Sequence, residues 1–345
     1  METHAREIAT RLSHHFDVQV VTSNPGRQLP STEVLDGVTV RRIPTWPSSG
    51  DPFIPWGWSK LVREIGPDVI VIDGYQSVVS ARALIYSTRR KTPVVLVFHE
   101  GANSNRLRQA LYPLQRRILR RWFRRAHITV ATAPHEIDLY RKELRLSDRS
   151  LVYIPNGADL PVIDEEVKRD QWKIVSIGRL ELQKRHHLVV EALSKLREDG
   201  NPWNLTIIGL GPEKDNLEEL SRELGLADVV RVVSFEGTER VKMATELSTA
   251  RIVIAPSLFE TYPMAVIEAA QLGCHVLVPE EGNPGVVGLA DRGIAQSIPS
   301  RTSEDMARSV LLAVEHSFTV NRNELSSWDD CANEFRRLLT DIASS

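Results

Sequence analysis

The sequence predicts two α/β domains, each built around a doubly wound parallel sheet. Short apolar, β-branched runs alternate with helix-patterned stretches, and this alternation continues through both halves of the chain. The chain has 345 residues, which is too many for one ordinary core and suits two domains of roughly 100–200 residues each.

The predicted strands read as nearly continuous apolar runs, as strands covered on both faces do. In the first half they are 18–22, 69–72, 94–98, 128–131 and 151–154. In the second half they are 174–177, 205–208, 229–233, 252–255 and 276–278. Helix patterns lie between the strands, beginning with the apolar face of Ala5, Ile8, Ala9 and Leu12.

The domain boundary is predicted in a turn-rich segment that a polar run follows. We assign 1–156 to the first domain, 157–172 to a linker, 173–325 to the second domain, and 326–345 to a helix that packs back on the first. The chain opens with a helix pattern, whereas such a domain usually opens with a strand and a glycine-rich turn. We therefore expect the first domain to be truncated at its start.

Composition narrows the classes of function. The formal net charge is −2, so no overall field favours nucleic acid as a partner. The cysteines number 2, which excludes a disulfide framework and a cysteine-rich zinc site. Because there is no signal-peptide pattern and no apolar run of about 20 residues, we expect a cytoplasmic protein.

The segment 259–273 carries two glutamates at a predicted helix start. Glu260 would lie in the loop before the helix and Glu268 about a turn and a half inside it, with Pro263 in the first turn. The helix N-terminus suits a phosphate, and the carboxylates can accept hydrogen bonds from sugar hydroxyls. Two solvated glutamates on an ordinary helix are the alternative interpretation.

Two further loops follow predicted strands of the second domain. Arg179 and Lys184 are cations in one loop after the first strand, able to neutralise a diphosphate leaving group. Gly209 and Gly211 follow the second strand, but the third glycine of a dinucleotide fingerprint is missing. A basic surface loop and a structural turn are the respective alternatives.

These motifs, in this order, resemble glycosyltransferase family 4, whose members are retaining enzymes with the two-domain GT-B fold. The resemblance covers nearly the whole chain and is strongest between Ile174 and Gly293. It rests on Glu260-x7-Glu268, Gly178-Arg179-Leu180 with Lys184, Gly209–Glu213, Pro155–Asp159, Glu2–Ala5 and Val97–Glu100.

The resemblance implies roles for the matching residues. Gly178, Arg179, Lys184 and Gly211 would surround the donor diphosphate, with backbone N–H groups near Met264 and Ala265. Glu268 would bind the ribose, Glu260 would contact the transferred sugar, and His99 would lie near the reacting carbon. A histidine hydrogen-bonded at a strand end is the alternative for His99. The chain departs from the family pattern at Pro263 and at Arg185, where glycine is usual after the lysine.

The implied reaction moves a sugar from a UDP, GDP or ADP sugar to a glycan or lipid-linked acceptor hydroxyl, with retention. We expect no cofactor. We also expect no catalytic metal, because the candidate metal-binding pair Asp329-Asp330 lies in an amphipathic helix pattern and is interpreted as solvated surface. Two alternatives remain: a GT-B-fold nucleotide-sugar epimerase, and a non-catalytic GT-B fragment that acts as a binding protein.

The stretch 106–125 combines arginine pairs with interleaved apolar residues. A basic amphipathic helix of this kind can lie on anionic lipid, so we expect a peripheral contact with the inner face of the membrane. A core-packing helix with a solvated basic face is the equally weighted alternative.

Overall fold

The computed structural model describes residues 2–27, 29–46, 54–55, 57–75, 77–99, 106–161, 163, 167–198, 200–235, 239–257, 259–260, 262–282, 284–300 and 302–344. Side chains are described for all of these except 2, 27, 54, 55 and 106–112. The chain divides into two compact units, one comprising Met1–Gly157 with Ser327–Ser345 and the other Ala158–Ser326.

The first unit contains two sheets. One comprises β1 (Gln19–Asn24), β2 (Thr32–Leu35), β3 (Val38–Trp46) and β4 (Ile54–Pro55). In it β3 pairs with β1 in parallel and with β2 and β4 antiparallel. The other is parallel, in the order β5 (Ile70–Asp73), β6 (Val94–Val97), β7 (Ile128–Ala131) and β8 (Leu151–Tyr153).

The helices of the first unit connect or flank these strands. They are α1 (Glu2–Leu12), α2 (Trp58–Ile65), α3 (Val78–Arg89), α4 (Arg106–Phe123) and α5 (Pro134–Leu144). The chain's last helix, which we number α12 (Trp328–Ala343), also belongs to this unit and packs against α1. Arg11 of α1 donates to Asp329 of α12 at 2.6 Å. A side chain at Gly157 would overlap the backbone of Trp328, so the chain passes close to the start of α12.

The second unit is built on one six-stranded parallel sheet. Its strands are β9 (Lys173–Ile177), β10 (Asn204–Ile208), β11 (Val230–Val233), β12 (Ile252–Ile254), β13 (His275–Pro279) and β14 (Gln296–Ile298). They lie side by side in the order β11-β10-β9-β12-β13-β14. The chain winds outward from β9 to β11, returns to β12 beside β9, and winds outward again. This is the strand order of a doubly wound nucleotide-binding fold, with its switch point between β9 and β12.

Helices cover both faces of this sheet. They are α6 (His186–Glu198), α7 (Lys214–Glu223), α8 (Arg240–Ser248), α9 (Met264–Gln271), α10 (Pro284–Asp291) and α11 (Ser303–Glu315). Successive side chains of β9 and β12 enter opposite cores: Val175 and Val253 join one apolar cluster, and Ile174 and Ile252 join the other. Burial on both faces explains why these strands lack polar alternation.

The ten predicted strands are all present, with ends within one or two residues of those observed. The sequence analysis missed β2, β3, β4 and β14. In β3, buried Val38 and Val40 alternate with partly exposed polar residues, so there is no continuous apolar run. Pro263 was expected within the first turn of a helix; it is instead the N-cap residue, and α9 begins at Met264.

Two glycines of the second unit hold loops in close contact. The backbone after β9 runs against the backbone after β10, and the N–H groups of Gly178 and Leu180 donate to Ile208 and Leu210 at 3.0 and 2.8 Å. A Cβ atom at Gly209 would overlap the carbonyl oxygen of Gly178, and one at Gly211 would overlap Leu180. Only glycine permits this approach.

We predict that Gly209→Ala destabilises the protein by about 3 kcal/mol, because the added methyl group must push two backbone segments apart. Gly288→Ala is the control: it lies in α10, where a Cβ meets nothing within 4 Å, and should stabilise by up to about 1 kcal/mol. Urea unfolding measures both variants. Equal stability of Gly209→Ala and the wild type would contradict the close-contact explanation.

Candidate functional site

The switch point of the second unit brings two predicted site residues together. Lys184 lies on the loop after β9, and Glu260 lies on the loop after β12, the parallel neighbour of β9. The Lys184 ammonium forms an ion pair with Glu260 Oε1. Their side chains are only 10% and 21% exposed. Burial costs a charge much of its hydration, so each of these charges depends on a partner.

Arg179 lies on the same loop as Lys184 but in a different environment. Its side chain is 60% exposed and pairs with the carboxylate of Glu181, which also accepts a hydrogen bond from Gln183 at 2.6 Å. An exposed pair of this kind contributes little to stability. Arg179 can therefore exchange Glu181 for another anion at low cost.

Glu268 is the fifth residue of α9 and is almost completely buried. Arg240, the first residue of α8, donates from Nη2 to Glu268 Oε1 at 2.8 Å and also to the backbone carbonyl of Asp159. The sequence analysis did not identify Arg240. No local signal marks it, because an arginine at a helix start is ordinary until the fold places it beside a buried carboxylate.

The start of α9 supplies backbone N–H groups at the same end of the sheet. The N–H of Met264 donates to the carbonyl of Tyr262 at 2.9 Å. Ala265 follows in the first turn, where backbone N–H groups precede the regular helical pairing and the helix dipole favours an anion. The predicted phosphate contacts at Met264 and Ala265 thus lie at a helix N-terminus, with the first N–H directed to a neighbouring carbonyl.

A buried histidine supports the loop after β9. His186 is 3% exposed, and its Nδ1 lies 2.8 Å from Ser176 Oγ. The Ser176 hydroxyl also lies 3.1 Å from the carbonyl of Ile254, to which it can donate, so the serine bridges the imidazole and that carbonyl. This chain of hydrogen bonds links β9, β12 and α6 beneath the switch point, and the sequence analysis missed it. Burial is the main reason that the pKa of His186 falls to about 4.

Because the folded pKa of His186 lies below the ordinary value of 6.5, the unfolded state binds more protons between pH 6.5 and 4. The contribution of His186 to the free energy of unfolding is therefore complete above pH 6.5 and falls as the pH drops toward 4. Each pKa unit corresponds to about 1.4 kcal/mol, which sets an upper limit of about 3 kcal/mol.

We predict that His186→Gln flattens the decline in the free energy of unfolding between pH 6.5 and 4, measured by urea denaturation at each pH. His187→Gln, one residue along the same helix, should retain the wild-type slope. If both variants show the wild-type slope, His186 does not titrate as its buried position requires.

In the first unit, three titratable side chains meet at the ends of parallel strands. Asp73 ends β5, and His99 lies two residues beyond its neighbour β6. His99 Nε2 is 2.5 Å from Asp73 Oδ1, and His4 Nδ1, from the first turn of α1, is 3.1 Å from the same oxygen. Within the described part of the chain, these three form the one group whose ligand atoms are close enough to be considered for a metal ion.

Two family models together match almost the whole chain. The model of glycosyltransferase family 4 matches residues 1–161, and that of glycosyl transferases group 1 matches residues 163–327.

Individual proteins agree with these matches. The D-inositol 3-phosphate glycosyltransferase of Nocardiopsis dassonvillei is 24% identical over 85% of this chain and 78% of its own length. An N-acetylgalactosaminyltransferase of Campylobacter jejuni, named for a diphospho-undecaprenol-linked sugar, is 24% identical over 66% of this chain and 61% of its own length. The structure of Anabaena HepE with UDP superposes with a TM-score of 0.75 at 15% identity, over 99% of this chain and 96% of that one.

Proposed function

Because this chain belongs to glycosyltransferase family 4 and has the GT-B fold, we propose that it transfers a sugar from a nucleoside diphosphate sugar with retention of configuration. The observation that carries this proposal is the pairing of Lys184 with Glu260 at the switch point of the second unit, beside the start of α9. Ligands of doubly wound sheets bind at this position.

The donor diphosphate is assigned to Lys184, Arg179 and the first turn of α9. Both cations are paired with carboxylates, Lys184 with Glu260 and Arg179 with Glu181. A diphosphate can replace those carboxylates as the partner of the cations, which leaves Glu260 to accept hydrogen bonds from the hydroxyls of the transferred sugar. Glu268, held by Arg240, accepts from the ribose hydroxyls.

In the proposed reaction, the acceptor oxygen bonds to the anomeric carbon on the face from which the nucleoside diphosphate departs. The bond between that carbon and the β-phosphate oxygen breaks, and the departing phosphate takes the acceptor proton. Lys184, Arg179 and the α9 dipole stabilise the charge that develops on the leaving group. These protein cations supply what a metal ion supplies in other transferases, so we propose a metal-independent reaction in which His99 is a catalytic residue of the first unit.

The comparisons favour particular substrate classes. Anabaena HepE was solved with UDP, which supports a nucleoside diphosphate ligand for this fold. The name of the Campylobacter relative includes diphospho-undecaprenol, which supports a lipid-linked acceptor and a role in cell-envelope glycan synthesis. The family models match both halves of the chain, which favours a transferase over an epimerase or a binding fragment.

We predict that isothermal titration calorimetry detects binding of one among UDP, GDP and ADP, and that Glu268→Ala weakens it more than tenfold. The variant loses a charged hydrogen-bond acceptor, worth about 1.5–3 kcal/mol, and leaves Arg240 without that carboxylate. Glu315→Ala, at an exposed helix end, is the control and should bind as the wild type does. Unchanged affinity in Glu268→Ala would remove Glu268 from the site.

Helix α4 has one face in the core and another in solvent. Leu119, Trp122 and Phe123 are buried, whereas Leu114 and Ile118 are 55% and 63% exposed. Arg117 and Arg121 are exposed along the same side of the helix as Leu114 and Ile118. Exposed aliphatic side chains flanked by arginines suit an anionic lipid surface, which would bring the enzyme to a lipid-linked acceptor.

No described helix is long and apolar enough to cross a bilayer.

We predict that the protein sediments with vesicles containing phosphatidylglycerol and that the double variant Arg117→Glu, Arg121→Glu binds them at least tenfold more weakly. Each basic residue at an anionic surface contributes about 1 kcal/mol. The control is Arg337→Glu, at an arginine of α12 that is also exposed. Equal loss in the control, or no binding by the wild type, would argue against α4 as a lipid-binding surface.

A further inference from the structure

The cluster in the first unit places one carboxylate oxygen between two imidazole rings. Oδ1 of Asp73 is 2.5 Å from His99 Nε2 and 3.1 Å from His4 Nδ1. The register of β5 with β6 pairs Asp73 with Val97. The end of β5 and the loop that carries His99 therefore lie next to each other at one edge of the sheet. Strand pairing thus brings the two backbones close enough for the side chains to meet.

The surroundings of the cluster are largely apolar. His4 is 5% exposed, and its ring packs edge-on against Trp328 and Phe335 of α12 and against the ring of His99. The side chains of His99 and Asp73 are 14% and 19% exposed. In such surroundings a hydrogen bond to a carboxylate holds a ring more firmly than it would in water.

The protonation states follow from these contacts. Burial opposes ionisation of Asp73, but the hydrogen bond with His99 and the interaction with the nearby His4 ring outweigh it and hold the pKa of Asp73 below its ordinary value. Burial lowers the pKa of His99, and the attraction of Asp73 offsets this only in part, so the ring is neutral at neutral pH. An ionised carboxylate can only accept, so the single ring proton of His99 lies on Nε2.

We propose that Asp73 is a positioning residue that holds His99 in the Nε2–H tautomer, in which Nδ1 is the acceptor nitrogen of the ring. This inference rests on the proposed transferase function for its consequence in catalysis. The tautomer itself does not depend on that function, because it follows from the Asp73–His99 contact. His4 contacts the same oxygen and limits rotation of the carboxylate.

A metal ion bound by the same three side chains is the competing explanation, and the distances disfavour it. Ligand nitrogens and oxygens about 2.0–2.1 Å from a tetrahedral zinc ion lie roughly 3.3 Å from one another. Here one oxygen is 2.5 Å from one nitrogen and 3.1 Å from the other. The shorter separation is that of a direct hydrogen-bond contact, and two ligands of one metal ion do not approach so closely.

The test is ¹⁵N NMR of the full-length protein with labelled histidines, which distinguishes the two neutral tautomers by the shifts of the ring nitrogens. His99→Gln identifies the His99 signals. We expect the Nε2–H form in the wild type and in Asp68→Asn, a control at an exposed aspartate just before β5. In Asp73→Asn the side-chain amide can donate to the ring, so we expect a shift toward the Nδ1–H form.

Kinetics supply the second measurement. With the nucleotide sugar that the protein accepts, Asp73→Asn should lower kcat at least about a hundredfold while the KM for the donor changes little, as loss of the correct tautomer does in other enzymes. Asp68→Asn should retain wild-type kcat and KM. A loss caused by misfolding would instead lower thermal stability and raise the KM for the donor.

Three results would overturn the proposal. The first is an Nδ1–H tautomer of His99 in the wild type. The second is an unchanged tautomer in folded Asp73→Asn. The third is Co²⁺ absorption bands in the wild type that disappear in His99→Gln, which would make the nitrogens metal ligands. If the tautomer changes as expected but the wild type transfers no sugar, the proposed function fails and the assignment of Asp73 stands.

Discussion

The parallel pairing of β9 with β12 is the constraint on which the rest of the second unit depends. Because the chain winds outward in opposite directions from these two strands, the helices that follow them, α6 and α9, pack on opposite faces of the sheet. The loops that leave them therefore face each other, and each carries one half of the Lys184–Glu260 pair. The hydrogen bonds from His186 through Ser176 to Ile254 hold both strands from below.

Ion pairs stabilise the buried charges of the site. The buried charges of Lys184 and Glu268 are each matched by an opposite charge, from Glu260 and Arg240. An unpaired charge in these positions would lose hydration without compensation, and the fold would be less stable. The same cations can exchange a carboxylate for a phosphate, so the pairing that stabilises these charges also suits the site to an anionic ligand.

The first unit uses the same geometry with different chemistry. The carboxyl ends of β5 and β6 bring Asp73 to His99, and α1 adds His4. Here the partners are imidazoles and a carboxylate in apolar surroundings, with no cation that is permanently charged among their described ionic contacts. Such a cluster is suited to orienting a hydrogen bond, whereas the lysine and arginines of the second unit are suited to neutralising phosphate.

Much of the architecture could be read from the sequence, because strands buried on both faces are predominantly apolar and stand out between helix patterns. Strands with one exposed face do not, which is why β3 was missed although Val38 and Val40 are buried. Gly211 shows a similar limit: its position after a strand was visible, but its close contact with the backbone of Leu180 was not.

Local pattern and spacing were sufficient to predict the alternation of strands and helices, the family resemblance and the candidate residues Arg179, Lys184, Glu260 and Glu268. Which charges meet depends on the tertiary structure. Arg240 reaches Glu268 from 28 positions away in the chain, and Asp73 reaches His99 from 26. Such contacts are set by strand order and register, which place distant residues at one sheet edge and leave no mark in the local sequence.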